Sequence, residues 1–487
     1  MRAPGIKHGR QAVPVTLCAR LGGQVTLQAQ ANGEIVAGFG GYAVGLGKFS
    51  KVVADRAQDL QKGLQLTSFA SRRRTKERQI NLLIRRLAQR GFLEYCLRHP
   101  QNGEDQIVIE PQTPDYWPRA AQLRDSDVLV LSRFAYMRRR ANDMVLESPR
   151  SDALFKICEP SAAAVLTALA APLSVKQLRR QAGFPAIELL GLLADCRILF
   201  KLEAAGDQGL RSTEGGDHLA LWDFHDLLFH ARSTEGRHAN PLGGVYPYVG
   251  VIPPLPAVRA CWPGIKIDLQ RFSRAEKTTS QTANLLHERH STRSFDGLRP
   301  ITIAELARFL DRTARVQSHL QAAPEPGGDP ALTYAARPYP SAGSSYELEL
   351  YLAVDKCDGL TRGFYHYDAG GHALVPINVP ANEFEGLLKG AAFAMGVSAA
   401  PQILITIAAR FGRVSWKYSS IAYALILKDA GVLTQTFYLM ATGMGLGGCA
   451  IGIANIERFA KMTGLEFYVE GPIGQFALGR PLQSEAE

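Results

Sequence analysis

Between Ser420 and Thr442 the chain carries Ile421, Leu425, Leu427, Val432, Phe437, Leu439 and Met440 and no proline. This predicts one long helix with apolar residues on every side, and such a helix needs cover all round. A subunit interface would provide it. Nowhere does an uninterrupted apolar run approach the ~20 residues of a membrane span, so no membrane association is expected. The helix runs into Gly443, Gly445, Gly447 and Gly448. A glycine-rich stop lets the chain pass closely against a flat ligand, or simply ends the helix.

The segments around this helix read as an α+β domain. Gln281 to Glu288 forms a helix that leads into Arg289-His290-Ser291-Thr292-Arg293-Ser294-Phe295. Planar guanidinium donors beside a hydroxyl suit a phosphate, and a basic surface turn is the other reading. Thr302 and Glu305 form a capping box before the apolar face Leu306, Phe309 and Leu310. Then come Pro340-Ser341-Ala342-Gly343, small enough for close backbone approach, and a strand to Val354. Phe364–Asp368 and His372–Ile377 flank a hairpin turn, and Ile403–Ile407 is a buried strand. The final strand, Gly474–Leu478, ends in Gly479-Arg480-Pro481, and its arginine can return to the same phosphate.

The first half is built differently. Short strands are expected up to about residue 50. Ile80, Leu83, Ile84 and Leu87 recur at helical spacing and precede a strand at Phe92–Leu97. A similar unit follows: a helix capped by Ser161, a second capped by Ser174, a third over Ile187–Asp195, and a strand at Ile198–Leu202. Two winged-helix-like units in tandem fit this pattern. They could grip DNA or an extended peptide, but no recognition helix follows the Arg72–Arg74 or Arg138–Arg140 runs. Peptide binding is therefore preferred and nucleic acid is not expected. Residues 206–270, rich in Gly and Pro, read as a connector packed on the catalytic domain. The resulting division is 1–120, 121–205, 206–270 and 271–487.

Seven scattered cysteines without a CxxC pair exclude a zinc knuckle or a disulfide framework and suit a cytoplasmic protein. All seven are expected to be buried, inert thiols. The net charge of +10 favours acidic partners such as phosphates and nucleotides.

Taken in order, Arg289-His290-Ser291-x-Arg293-x-Phe295, Pro340-Ser341-Ala342-Gly343, Gly445-Leu446-Gly447-Gly448 and Leu478-Gly479-Arg480-Pro481 resemble the FMN-dependent nitroreductase superfamily. Trp416-Lys417-Tyr418, Leu221-Trp222-Asp223-Phe224-His225-Asp226 and Asn240-Pro241-Leu242-Gly243-Gly244 resemble its SagB/ThcOx-type azoline dehydrogenases. One stretch departs from that branch: Ser344-Ser345-Tyr346-Glu347 stands where a second Gly and a Tyr-Pro are usual.

The resemblance implies FMN as cofactor, a homodimer, and an N-terminal peptide clamp. It implies that Arg289, Ser291, Arg293 and Arg480 hold the phosphate. His290, Pro340, Ser341, Ala342, Gly343, Gly447 and Gly448 would line the cofactor pocket. Lys417 and Tyr418 would be catalytic. The implied substrate is a thiazoline or oxazoline in a ribosomally made precursor peptide, formed by a cyclodehydratase that could also be a partner. Lys417 would take the ring Cα proton, which requires its pKa to fall from ~10.4 towards ~7–8. Dioxygen would then reoxidise the flavin. An NAD(P)H-dependent nitroreductase or flavin reductase, and a non-catalytic peptide-binding scaffold, are the competing readings.

Overall fold

The computed structural model describes residues 15–66 except 24, 40 and 41, then 75–99, 103–113, 116–181, 186–202, 214, 216–238, 246, 249–259, 263, 265–270, 280–322 and 332–482. The Arg72–Arg74 run, the Pro324–Pro330 loop, Cys261 and Asn240–Gly244 lie outside these residues. The chain divides into two compact units. The first comprises Met1–Ala220, Leu227–Arg232 and Gly236–Ala239, and the second Leu221–Asp226, Ser233–Glu235 and Asn240–Glu487.

The first unit is organised by one seven-stranded antiparallel sheet. Its strands run in the order Leu64–Gln65, Thr16–Leu21, Leu93–Arg98, Asp105–Pro111, Ala153–Ile157, Asp143–Glu147, Tyr136–Arg140. The expected boundary at residue 120 is not there. Asp105–Pro111 pairs with Ala153–Ile157, so a sheet crosses it. A single core also joins Leu83, Ile84 and Leu87 of the helix Thr75–Ala88 to Phe155, Leu189 and Leu190. The two units expected from sequence are one body, because the shared sheet buries its face only as a whole.

The helix Pro160–Ala168 starts at Glu159 without a side-chain cap, and Ser161 bonds Glu159 instead of capping the helix. Ser174 caps as expected, with Gln177 completing a capping box. Arg138 pairs with Glu147 on the adjacent strand, and Arg140 pairs with Glu110 of the strand Asp105–Pro111. Cys18 stands directly opposite Cys96 across the ladder. Cys158 is exposed and Cys357 half-buried, which corrects the expectation for those two thiols.

The second unit is an α/β sandwich around a six-stranded antiparallel sheet. The order is Ala373–Ile377, Gly363–Asp368, Leu348–Val354, Ile403–Arg410, Glu470–Gly479, Gly447–Ile451. The central strand Ile403–Arg410 is buried along nearly all its length. Side chains alternate across the sheet with period 2. Phe476 therefore packs on Phe437 of the long helix Ala422–Gly443, while Ala477 joins Phe384, Leu388 and Phe459 on the other face. Phe309 of the helix Ile303–Thr313, started by the Thr302/Glu305 capping box, completes the long-helix face.

The long helix is covered on one side by its own chain, which leaves the other side to the expected subunit interface. Tyr423, Ile426, Asp429, Leu433 and Phe437 are buried, whereas Ala424, Lys428, Val432 and Gln435 are exposed. The connector packs on the domain only in part: Trp222 lies against Phe411 and Tyr423, whereas Val251, Leu255, Val258 and Ile265 are 78%, 92%, 82% and 100% exposed. Pro253, Pro254 and Pro256 lack the N–H groups that would let this stretch join a sheet edge.

Candidate functional site

Two groups of sequence-selected residues gather along the long helix, near Tyr438 and near Asp429. Nine residues separate these positions, about 13.5 Å along the axis.

At the Tyr438 end, the helix Gln281–Glu288 stops at Arg289, whose extended backbone turns the chain into the Arg-His-Ser segment. The Arg289 guanidinium lies 5.2 Å from the centre of the Tyr438 ring. Ser291 Oγ is 2.9 Å from the Tyr438 hydroxyl, which also accepts the Ala450 N–H at 2.8 Å. With the phenol hydrogen turned to Ser291, the serine hydrogen is left to point at a ligand. Arg293 is exposed and close enough to Cys449 to oppose the rise that burial imposes on that thiol. Among the described residues neither Arg289 nor Arg293 has a carboxylate partner. His290 is exposed, and its Nδ1 lies 2.9 Å from the Glu288 carbonyl, leaving Nε2 outward.

Three residues assigned to the pocket do other work here. Arg480 brings its backbone to the motif, where the Asp296 N–H donates to its carbonyl, but its guanidinium bonds both Glu305 oxygens at 2.9 and 2.8 Å. The carboxyl it meets is the capping-box acid, fixed in place by the helix start. A Cβ on Gly447 would lie 2.6 Å from Thr292 Cγ2, and one on Gly448 2.3 Å from Phe476 Cζ. These glycines let the strand Gly447–Ile451 slot between the Arg-His-Ser segment and the sheet. The left-handed helix stop itself falls to Gly445, at φ 67°.

At the Asp429 end, Pro340-Ser341-Ala342-Gly343 is tied to the helix. The Ser341 hydroxyl lies 2.9 Å from Asp429 Oδ2, and the Ala342 N–H donates to the same oxygen at 2.8 Å. Gly343 adopts φ 55°, ψ 28° and is exposed, as is Pro340. A Cβ there would sit 2.5 Å from the Tyr418 hydroxyl and 3.2 Å from Lys417 Nζ. The lysine and tyrosine head groups thus converge on one glycine.

They do so from the turn between the short helix Phe411–Ser415 and the long helix, where the Lys417 and Tyr418 N–H groups both return to the Val414 carbonyl. Neighbouring residues diverge on a helix, so a turn is what lets the two head groups meet. Lys417 Nζ is also 5.9 Å from the Tyr334 ring centre. Its side chain is exposed, so the burial expected of a basic lysine is not provided within the single chain.

The turn is braced by the Trp222 motif. Trp222 packs on Phe411 at 4.6 Å and on Tyr423 at 6.1 Å, and its indole N–H donates to the Tyr468 carbonyl. Asp226 accepts the Tyr423 N–H at 3.2 Å. Burial pushes the Asp226 carboxyl up. The sequence marks this motif without a task for it, marks Glu347 only as part of a departure from the branch, and gives no role to Asp429, Tyr334 or Tyr438. Of these three, only the acid inside a largely apolar helix was a visible signal. Among the described residues there is no cluster of His, Cys, Asp and Glu fit for a metal, and no helix long and apolar enough to cross a membrane.

Comparison with known proteins follows the same division. The nitroreductase family model matches residues 286–480, and the model described as cyanobactin oxidase ThcOx matches residues 129–239. "Putative nitroreductase MJ1384" of Methanocaldococcus jannaschii is 34% identical over 144 residues, covering 30% of this chain and 70% of that protein. The chain belongs to the nitroreductase family. With the ThcOx match ahead of the catalytic unit, it is a SagB/ThcOx-type member and an oxidoreductase.

Among solved structures, a nitroreductase-type protein of Ralstonia eutropha is 21% identical over 43% of this chain and 87% of that one, with a TM-score of 0.31. The Escherichia coli microcin synthetase McbBCD complex with truncated pro-MccB17 bound contains a chain that is 17% identical. That match covers 57% of this chain and 100% of that one, with a TM-score of 0.38. Nitroreductase-family proteins typically bind flavin cofactors.

Proposed function

We propose that this nitroreductase-family chain is an FMN-dependent dehydrogenase that oxidises thiazolines or oxazolines in a ribosomally made precursor peptide to thiazoles or oxazoles. The observation that carries this is the convergence of Lys417 Nζ and Tyr418 OH on exposed Gly343. A proton acceptor and a hydroxyl donor meet at a glycine whose missing side chain leaves room for both head groups.

The residues present fit FMN. Arg289, Arg293 and the spare Ser291 hydrogen would take the phosphate, and the Pro340–Gly343 loop would lie along the ring system. Arg480 would support this set through Glu305 instead of binding phosphate. FMN, when bound, supplies the two-electron acceptor that aromatisation requires. Lys417 would accept the proton from the azoline Cα, between imine and carbonyl, while the neighbouring ring carbon gives up a hydride. Tyr418 would hold the lysine or share that proton. Trp222 and Asp226 would keep the turn that presents both in register.

A second copy of the chain would cover the open face at Ala424, Lys428 and Val432 and the apolar connector. It would also supply the burial that Lys417 needs to be uncharged. The first unit would hold the peptide, with Tyr136–Arg140 as an outer strand suited to pairing with an extended segment. A cytoplasmic location beside a cyclodehydratase would suit such an enzyme.

The test is to mix the FMN-loaded protein with an azoline-bearing peptide in air and look for a two-dalton mass loss per ring. No loss, together with rapid NADPH oxidation by a nitro compound, would favour a small-molecule reductase. The exposure of Lys417 in the single chain is the observation on that side. Light scattering that reports a monomer would remove the second-copy part of the account.

A further inference from the structure

Behind the Pro340–Gly343 loop lie two buried carboxyl groups, Glu347 at 0% and Asp429 at 6% exposure. Glu347 stands in the stretch where the sequence departs from its branch. Ser341 Oγ is 2.9 Å from Asp429 Oδ2 and 3.3 Å from Glu347 Oε2, and it accepts the Tyr346 N–H at 2.9 Å. A serine hydroxyl has one hydrogen. If that hydrogen goes to Asp429, the contact with Glu347 needs a proton from the glutamic acid. If it goes to Glu347, the short contact with Asp429 lacks one. Either way, two ionised carboxylates cannot both be satisfied.

Glu347 Oε1 is buried and has no hydrogen-bond partner among the described residues, a costly position for half of a carboxylate. Among the described residues no cation compensates. Arg410 gives Glu347 only its backbone N–H, bonded to the Glu347 carbonyl, and sends its side chain to Glu349. Arg413 bonds the Ser345 carbonyl and Arg337 the Leu348 carbonyl. Glu349 faces His366, and the phenols of buried Tyr339 and of Tyr346, which pack on each other, are the other titratable groups beside Glu347.

We propose that Glu347 and Asp429 share a proton, and that this singly protonated pair positions the Ser341–Gly343 loop against Lys417 and Tyr418. Glu347 is thus a positioning residue for the loop that would lie along the flavin, and this inference rests on that reading of the site. With the proton in place, Asp429 holds the Ser341 hydroxyl and the Ala342 N–H together, and Glu347 closes the loop from behind. Without it, two negative charges face one hydroxyl and the loop is released.

Burial first, then the Asp429 charge, pushes the Glu347 carboxyl up to about 7. A group whose folded value is raised gives stability that is full below its unfolded value. That stability is lost as pH rises through about 7.

The test uses Glu347→Gln and Asp429→Asn in the full-length protein, with no substrate. Infrared spectra of the wild type should show a protonated-carboxyl band that titrates near neutrality and is missing in Glu347→Gln. In Asp429→Asn, whose amide can donate to Glu347, the band should move to lower pH. The melting temperature of Glu347→Gln should match the wild type near about pH 5 and exceed it near about pH 8. Hydrogen exchange over residues 341–346, compared at equal pH, should quicken in the wild type above neutrality and stay slow in Glu347→Gln.

A wild-type spectrum without that band, or a melting difference independent of pH, overturns the shared proton. A titrating band with no change in loop exchange overturns the positioning role. Neither readout needs flavin or azoline, so failure of the oxidation assay leaves this result standing, and the reverse holds too.

Discussion

At the Tyr438 end of the long helix the hydrogen-bond inventory leaves donors over, and at the Asp429 end it leaves acceptors over. Arg289 and Ser291 meet one phenol, Arg293 lies near Cys449, and among the described residues no carboxylate satisfies either arginine. The Ser341 hydroxyl and the Ala342 N–H serve two buried acids with too few hydrogens. An anionic ligand would resolve the first imbalance and a bound proton the second. Ligand-facing groups thus show themselves as surplus donors, whereas a loop that must hold its shape is saturated from behind. Both imbalances sit on one rigid helix, which fixes their separation.

The sharpest way to break this comparison is Lys417→Ala. A general base contributes roughly 10²–10⁴-fold, so the two-dalton mass loss should slow by at least about 100-fold, while the flavin absorption band persists. Loss of both colour and turnover would mean the lysine belongs to the binding end instead.

Gly343→Ala comes next. Its Cβ would enter contact at 2.5 Å with the Tyr418 hydroxyl, on a backbone at φ 55° that favours glycine. Displacing the head groups by about an ångström should cost on the order of 10–100-fold in turnover, with flavin retained. Unchanged turnover would show that this face of the loop is not where the ring lies.

At the donor end, Arg293→Ala should weaken FMN binding by roughly 10–150-fold, the loss expected for a charge-assisted hydrogen bond. Fluorescence titration of the apoprotein would read it. Tyr438→Phe should act in the same direction but less, about 5-fold for one neutral hydrogen bond. It leaves Ser291 without its partner and the Ala450 N–H without an acceptor.

How much of this was legible in advance follows from what each feature depends on. The helices Gln281–Glu288 and Ile187–Asp195 and the Thr302/Glu305 capping box were readable because caps and periodicity are local. The convergence of Lys417 and Tyr418 on the Pro-Ser-Ala-Gly loop was legible only through resemblance, since 74 residues separate Gly343 from Lys417. The single sheet of the first unit was not legible, because the pairing of Asp105–Pro111 with Ala153–Ile157 spans an intervening helix-and-strand pattern that reads locally as a new domain. The role of Glu347 was hidden as well. Its burial depends on a helix some eighty residues later, and the sequence marks its stretch only as a departure from the branch.

Arg480 gives the smallest effect and the finest discrimination between the two ends. Sequence order places it with the phosphate arginines, but its guanidinium is tied to Glu305. Although burial pushes the Glu305 carboxyl up, hydrogen bonds from Thr302 and Arg480 outweigh it and hold the group below the usual carboxylate range. Both side chains are partly exposed, at 27% and 19%, so the pair contributes only about 1 kcal/mol. Arg480→Gln should therefore lower the melting temperature by roughly 2–4 °C and leave FMN affinity within about 2-fold of the wild type.

A depressed carboxyl gives stability that is present above its unfolded value and lost as pH falls through the folded one. The melting gap should therefore close on acidification and stay open at neutral pH. A large loss of FMN affinity with no such pH-dependent gap would return Arg480 to the phosphate and make Glu305 its competitor for the ligand.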